Sequence, residues 1–196
     1  MQMYKKKLKS TVLQMIIHTF LFIFATIINN QTNRKMKKIM MMMAALTFTL
    51  MMNAQTVSEG QDAPEFSLPA LDGSTLKLSD LRGKYVVLDF WGSWCVWCIR
   101  GIPAMKEAYA KYKDKMEILG VDCRDTEEKW KAAVEQHELP WLQVRCDDEA
   151  MQKIGQLYNL EGFPTKVVID PEGKLLKVVV GEDPQFYTFL DELFAE

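Results

Sequence analysis

The sequence predicts one α/β domain with a mixed β-sheet over residues 63–196. Three observations predict it. Segments of strand and helix periodicity alternate along this stretch. One of them, Tyr85-Val86-Val87-Leu88-Asp89-Phe90-Trp91, is a nearly continuous apolar run, the pattern of a central strand buried on both faces. Near the end, Asp170-Pro171-Glu172-Gly173 joins two strand-like segments as a tight turn, which adds an antiparallel hairpin to the sheet.

The elements follow in order. Residues 55–62 are polar and read as a loose arm. Phe66 and Leu68 alternate as in a short strand, Leu71-Asp72-Gly73-Ser74 is a turn, and Thr75 to Leu78 alternates again. Ser79 to Gly83 reads as a second tight turn before the central strand. From Cys95 to Tyr112 apolar residues recur at helical spacing, with Ile102, Met105, Tyr109 and Tyr112 on one side. Pro103 inside this helix removes a backbone hydrogen bond and predicts a kink. Residues 116–121 form the next strand, and 126–137 a helix that Thr126 caps, with Glu127 and Glu128 in its first turn. Strands at 141–144, 165–169 and 174–180 and helices at 149–158 and 184–194 complete the series.

Composition divides the chain. Residues 1–54 hold 8 Lys and Arg and no acid, which leaves 16 basic and 26 acidic residues, a net of −10, in residues 55–196. An acidic body has no basic surface to exchange for counterions, so no nucleic-acid partner is expected. The apolar share of 48% excludes a disordered chain. Four Cys are too few for a disulfide scaffold but enough for one active site and one more pair or metal site.

Met36-Lys37-Lys38, an apolar run from Ile39 to Met52, and Asn53-Ala54 before Gln55 match a secretory signal peptide at residues 36–54. At 14 residues the run is short for a membrane span of about 20. Residues 1–35 contain a second apolar run at 12–28, read as an untranslated upstream extension or else as an inner-membrane anchor. On either reading the acidic body is expected in the periplasm or cell envelope, where thiols oxidise, and any membrane contact runs through an uncleaved leader.

The chemistry concentrates in Trp91-Gly92-Ser93-Trp94-Cys95-Val96-Trp97-Cys98. This Cys-x-x-Cys lies where a buried strand turns into a helix. Free N–H groups and the helix dipole stabilise a thiolate there, so Cys95 is the expected nucleophile and Cys98, one turn on, the resolving thiol. The alternative is half of a zinc site. Such sites usually show two close pairs, and Cys123 and Cys146 are separated by 22 intervening residues, so no metal is assigned.

Phe90-Trp91-Gly92-Ser93-Trp94-Cys95-Val96-Trp97-Cys98, with Pro103 beyond it, resembles the thioredoxin superfamily. Ala63-Pro64-Glu65-Phe66-Ser67-Leu68 and Leu76 to Lys84 narrow this to its TlpA/ResA-type branch of exported thiol–disulfide oxidoreductases. The resemblance covers residues 61–196. It implies a thioredoxin-like three-layer sandwich, a mixed central sheet flanked by helices. It implies catalysis by the Cys95–Cys98 redox-active disulfide with no other cofactor. Its implied partners are protein disulfides, apocytochrome c among them, with a membrane-bound thiol reductase as electron donor. The implied roles are cell redox homeostasis and cytochrome c biogenesis. Gly162-Phe163-Pro164-Thr165 matches the loop whose proline is cis and faces the dithiol, so Phe163, Pro164 and Thr165 are substrate-binding candidates. With Phe163, the residues Trp94, Val96 and Trp97 around the dithiol read either as an apolar docking patch for partner proteins or as a cover that keeps water off the disulfide.

The branch commonly carries a Glu three positions after the second Cys, and here that position is Gly101. Asp89, six residues before Cys95 on the buried strand, is the expected substitute as proton relay. Cys123 and Cys146 are placed at equivalent strand ends, as a second disulfide or as buried thiols. Two other classes remain: a non-catalytic binding module with a structural disulfide or zinc, and a peroxiredoxin-like peroxidase. The peroxidase needs a Thr three residues before its reactive Cys, and position 92 holds Gly.

Overall fold

The computed structural model describes residues 58–195 and Met42. The signal peptide expected at 36–54 (apart from Met42), the upstream segment 1–35 with its candidate anchor at 12–28, and positions 55–57 of the arm lie outside the described residues. Among the described residues no helix is long and apolar enough to cross a membrane.

A short antiparallel hairpin opens the domain, β1 (Ser67–Pro69) and β2 (Thr75–Lys77), followed by a 3₁₀ turn at Leu78–Leu81. Then come β3 (Tyr85–Trp91), α1 (Val96–Tyr112), β4 (Met116–Cys123), α2 (Glu127–Gln136), β5 (Leu142–Cys146), α3 (Asp148–Leu157), β6 (Thr165–Ile169), β7 (Leu175–Val180) and α4 (Pro184–Leu193). The main sheet has the order β5-β4-β3-β6-β7. β3, β4 and β5 are parallel, whereas β6 and β7 run antiparallel to their neighbours, so the sheet is mixed as expected.

β3 lies at the centre because its apolar residues can be buried on both faces. Val86, Leu88 and Phe90 point to the side covered by Phe66, Leu68, Ile154 and Tyr158, from the hairpin and α3. Val87 points to the other side, against Met105 and Ala108 of α1 and Phe186 and Leu190 of α4. Trp91, on that same side at the strand's end, packs with the dithiol and with Trp130, Ala133 and Val134 of α2. The result is helix–sheet–helix layering with the site at the C-terminal end of β3.

Local capping follows the sequence. Thr126 Oγ1 accepts from Lys129 N at 3.4 Å, and Asp147 Oδ1 accepts from Ala150 N at 2.8 Å. Pro184 occupies the first turn of α4, where its missing N–H costs nothing. Two boundaries differ from expectation. β4 and β5 run two residues further than their apolar patterns, so Cys123 and Cys146 end their strands rather than follow them. The polar residues Asp122 and Arg145 hid this, because sheet pairing continues through them: Asp122 is opposite both Trp91 and Arg145. Helix α1 runs unbroken through Pro103.

Candidate active site

Cys95 is the N-cap of α1, with an extended backbone at φ −89° and ψ 100°. Its sulfur accepts a hydrogen bond from the Cys98 N–H at 3.1 Å, one of the orphan donors of the first turn. The same N–H and the helix dipole are in place to stabilise negative charge on that sulfur after reduction. Cys95 and Cys98 are joined in a disulfide with Cα atoms 5.2 Å apart. Both are buried, and the residues between them, Val96 and Trp97, are exposed.

The loop before the helix is fixed by three contacts that cross the sequence. Ser93 donates to Asp125 through its backbone N–H at 2.6 Å and its hydroxyl at 2.7 Å. The Trp94 indole donates to the Cys123 carbonyl at 2.9 Å, and the Trp91 indole donates to Gln143 Oε1 at 3.2 Å. Gly92 is required by the second contact. A Cβ there would fall on the Trp94 indole and lie 2.9 Å from the Cys123 carbonyl.

The Phe163–Pro164 peptide is cis, as the resemblance implies. Phe163 packs against the cluster that holds Cys95 and Cys98 and meets Trp94 edge-on, with ring centroids 5.1 Å apart. Arg124 stands over both rings, at 5.6 Å from Trp94 and 5.5 Å from Phe163. It holds a left-handed backbone (φ 72°) that is uncommon outside glycine and clusters at functional sites. Arg100 covers Trp97 at 5.0 Å.

The substrate-binding candidates therefore separate. Trp94, Val96 and Trp97 are exposed, Phe163 is half-buried, and all four border the dithiol. Thr165 is buried, its hydroxyl donates to the Gly162 carbonyl at 2.7 Å, and its strand pairs on both sides. It closes the loop on itself and offers no side chain to a partner. Pro164 is also buried, so the loop's outward side chain is Phe163.

Asp89 lies on the same face of β3 as Trp91, with its Oδ1 buried and without a hydrogen-bond partner among the described residues. Burial pushes its pKa up to about 6, against the opposing pull of the Lys166 ammonium. Its pairing with Lys166 and Glu182 was not singled out in the sequence. Lys166 on β6 lies directly opposite Asp89 and bonds to Glu182 at 2.7 Å. Asp122 and Asp125 were also missed. Burial first, then the Asp125 carboxyl, push Asp122 up to about 8 behind the Ser93 loop.

Cys123 and Cys146 are paired in register on neighbouring strands and are present as buried thiols. The Cys123 thiol donates to the Val121 carbonyl at 3.4 Å. The Cys146 hydrogen bond and burial push its pKa far above the ordinary thiol range.

A thioredoxin fold with a Cys-x-x-Cys disulfide at a helix N-terminus defines a thiol–disulfide oxidoreductase. Residues 59–178 match the AhpC/TSA family, and the chain belongs to it, within the ResA/TlpA-type thiol–disulfide oxidoreductases. The thiol-disulfide oxidoreductase ResA of Bacillus anthracis is 40% identical over 124 residues, covering 63% of this chain and 70% of that protein. ResA of Bacillus subtilis (strain 168) is 34% identical over 128 residues, covering 65% and 70%. Among solved structures, the thioredoxin domain of a Bacteroides vulgatus thiol-disulfide oxidoreductase aligns with a TM-score of 0.66 at 31% identity, covering 70% of this chain and 99% of that one. A thiol:disulfide interchange protein from Bacteroides sp. gives 0.66 at 30% identity, covering 72% and 93%. These relatives favour an enzyme of disulfide exchange over a non-catalytic module.

Proposed function

We propose that the chain is an exported reductant of protein disulfides, apocytochrome c among its substrates, recharged by a membrane-bound thiol reductase. The carrying observation is the Cys95 sulfur at the cap of α1, accepting the Cys98 N–H. The redox unit is the Cys95–Cys98 pair itself, and no step calls for another cofactor.

The reaction starts from the reduced dithiol. The Cys95 thiolate attacks one sulfur of a partner disulfide. The partner S–S bond breaks, a Cys95–partner bond forms, and one partner thiolate leaves and takes up a proton from water. Cys98 then gives its proton to the Asp89 carboxylate and attacks the Cys95 sulfur. The Cys95–Cys98 bond forms and the second partner thiolate leaves, taking a proton for which Asp89 is the donor at hand. Two electrons have passed from the dithiol to the partner. Trp94, Val96, Trp97 and Phe163 give the partner an apolar surface beside the bond.

Cys98→Ser tests this directly. Without a resolving thiol the Cys95–partner species accumulates, and mass spectrometry of the variant mixed with an oxidised substrate protein reads it as a covalent adduct on Cys95. An adduct on Cys123 or Cys146 instead, or none, would remove the assignment. The reductive direction is tested by the dithiol's reduction potential, where about 30 mV corresponds to ~1.4 kcal/mol. A value near those of strongly oxidising dithiols would reverse it.

A further inference from the structure

The antiparallel register that sets Asp89 opposite Lys166 puts both side chains on one face of the sheet, within about 4.5–5.5 Å at Cβ. This face is covered by α1 and α4. Lys166 is 2% exposed, yet its ammonium does not bond Asp89. It reaches Glu182 Oε2 at 2.7 Å, while Tyr187 donates its hydroxyl to Glu182 Oε1 at 2.6 Å. Phe186 lies beneath the ammonium at 5.5 Å. Glu182 is held at the turn before α4, with 19% of its side chain exposed.

Helix α1 makes room for this carboxylate. Gly101 is buried one turn after Cys98, and a Cβ there would overlap Glu182 Oε2 and crowd its Cδ. Glycine inside a helix costs about 1 kcal/mol relative to alanine. Here it lets a carboxylate from another element lie against the helix that carries the dithiol.

We propose that Glu182 is a positioning residue of the exchange reaction: with Tyr187 it holds the buried Lys166 ammonium on itself, and so keeps Asp89 able to accept the Cys98 proton. This rests on the relay reading of Asp89. A lone ammonium beside a buried carboxyl would hold it ionised and make it a weak base, since an opposite charge within about 4–6 Å lowers a carboxyl pKa by ~1–3 units. Glu182 cancels that pull, and its charge acts on Asp89 in the upward direction. The groups that face this set are Asp89 from β3, Lys166 from β6, Glu182 from the β7–α4 turn, Tyr187 from α4 and Glu107 from α1.

The test is the titration of the Asp89 carboxyl by ¹³C NMR in the reduced protein, with the pH dependence of insulin reduction beside it. Glu182→Gln is expected to move the Asp89 midpoint to lower pH by roughly one unit or more, and the rate profile with it. Lys166→Met combined with Glu182→Gln removes both charges and is expected to bring the midpoint back to the wild-type value or above. A merely structural role for Glu182 would not produce that return. If Glu182→Gln does not fold, Gly101→Ala carries the test, because it displaces the carboxylate without removing a charge and is expected to lower the midpoint as well. An unmoved midpoint in a folded Glu182→Gln or Gly101→Ala variant overturns the proposal. If Asp89→Asn leaves the rate profile unchanged, the relay reading itself fails. If Asp89→Asn abolishes the limb and Glu182→Gln moves neither limb nor midpoint, only the role of Glu182 fails.

Discussion

On the proposed relay role, Asp89 is the residue at which function and stability oppose each other. Its pKa, raised to about 6, lies above the ordinary value of 3.8, so the folded state binds its proton more tightly than the unfolded state does. The stability this gives is complete below about pH 4 and is lost as pH rises through 6. Asp89→Asn, which cannot ionise, is therefore expected to be more stable than wild type at pH 8, by about 1–3 kcal/mol. That gain should shrink towards zero at pH 4. Denaturant unfolding at the two pH values reads this, and a variant less stable at pH 8 than at pH 4, relative to wild type, would contradict it. Turnover should change in the other direction, because Cys98 loses its proton acceptor. Asp89 was legible as a candidate in the sequence because an acid interrupts an otherwise apolar strand. Lys166 breaks the apolar segment 165–169 in the same way and could have been found by the same signal. Its partner could not, since Glu182 lies 16 residues further on in an unremarkable turn.

At the scale of elements, the helix α1 and the loop before it form the working part. The sequence placed the strand, the turn and the helix correctly, because apolar run, Cys-x-x-Cys and helical spacing are local signals. It could not show what holds the loop. Asp125, the Cys123 carbonyl and Gln143 act on Ser93, Trp94 and Trp91 from segments 29 to 52 residues away. Gly92→Ala is expected to break the Trp94–Cys123 contact and destabilise the domain by about 1–3 kcal/mol. Urea unfolding measures it, and an unchanged midpoint would show that the loop has slack. Trp97 projects from the first turn of α1 with 60% exposure, enough to meet a partner. Trp97→Ala is expected to lower kcat/KM for insulin roughly tenfold and to leave reaction with a small-molecule disulfide unchanged. Equal losses on both substrates would mean that the ring covers the bond instead of docking the partner.

For the whole molecule, the order β5-β4-β3-β6-β7 brings the dithiol, the Phe163–Pro164 loop and the Cys123–Arg124 corner to one end of the sheet. The fold class was legible because strands and helices alternate and the hairpin turn is explicit. The extra length of β4 and β5 was not, because the two strands go on pairing with each other through the charged residues Asp122 and Arg145. Exported material should begin at Gln55, and intact mass will read it; a species retaining residue 20 would instead favour the anchor at 12–28. The account as a whole depends on one chemical step, attack by Cys95. Insulin reduction with dithiothreitol as electron source measures that step in wild type and Cys95→Ser. Turnover well above the dithiothreitol background in wild type, falling to that background in Cys95→Ser, is the predicted result. Equal turnover in the two proteins would contradict it.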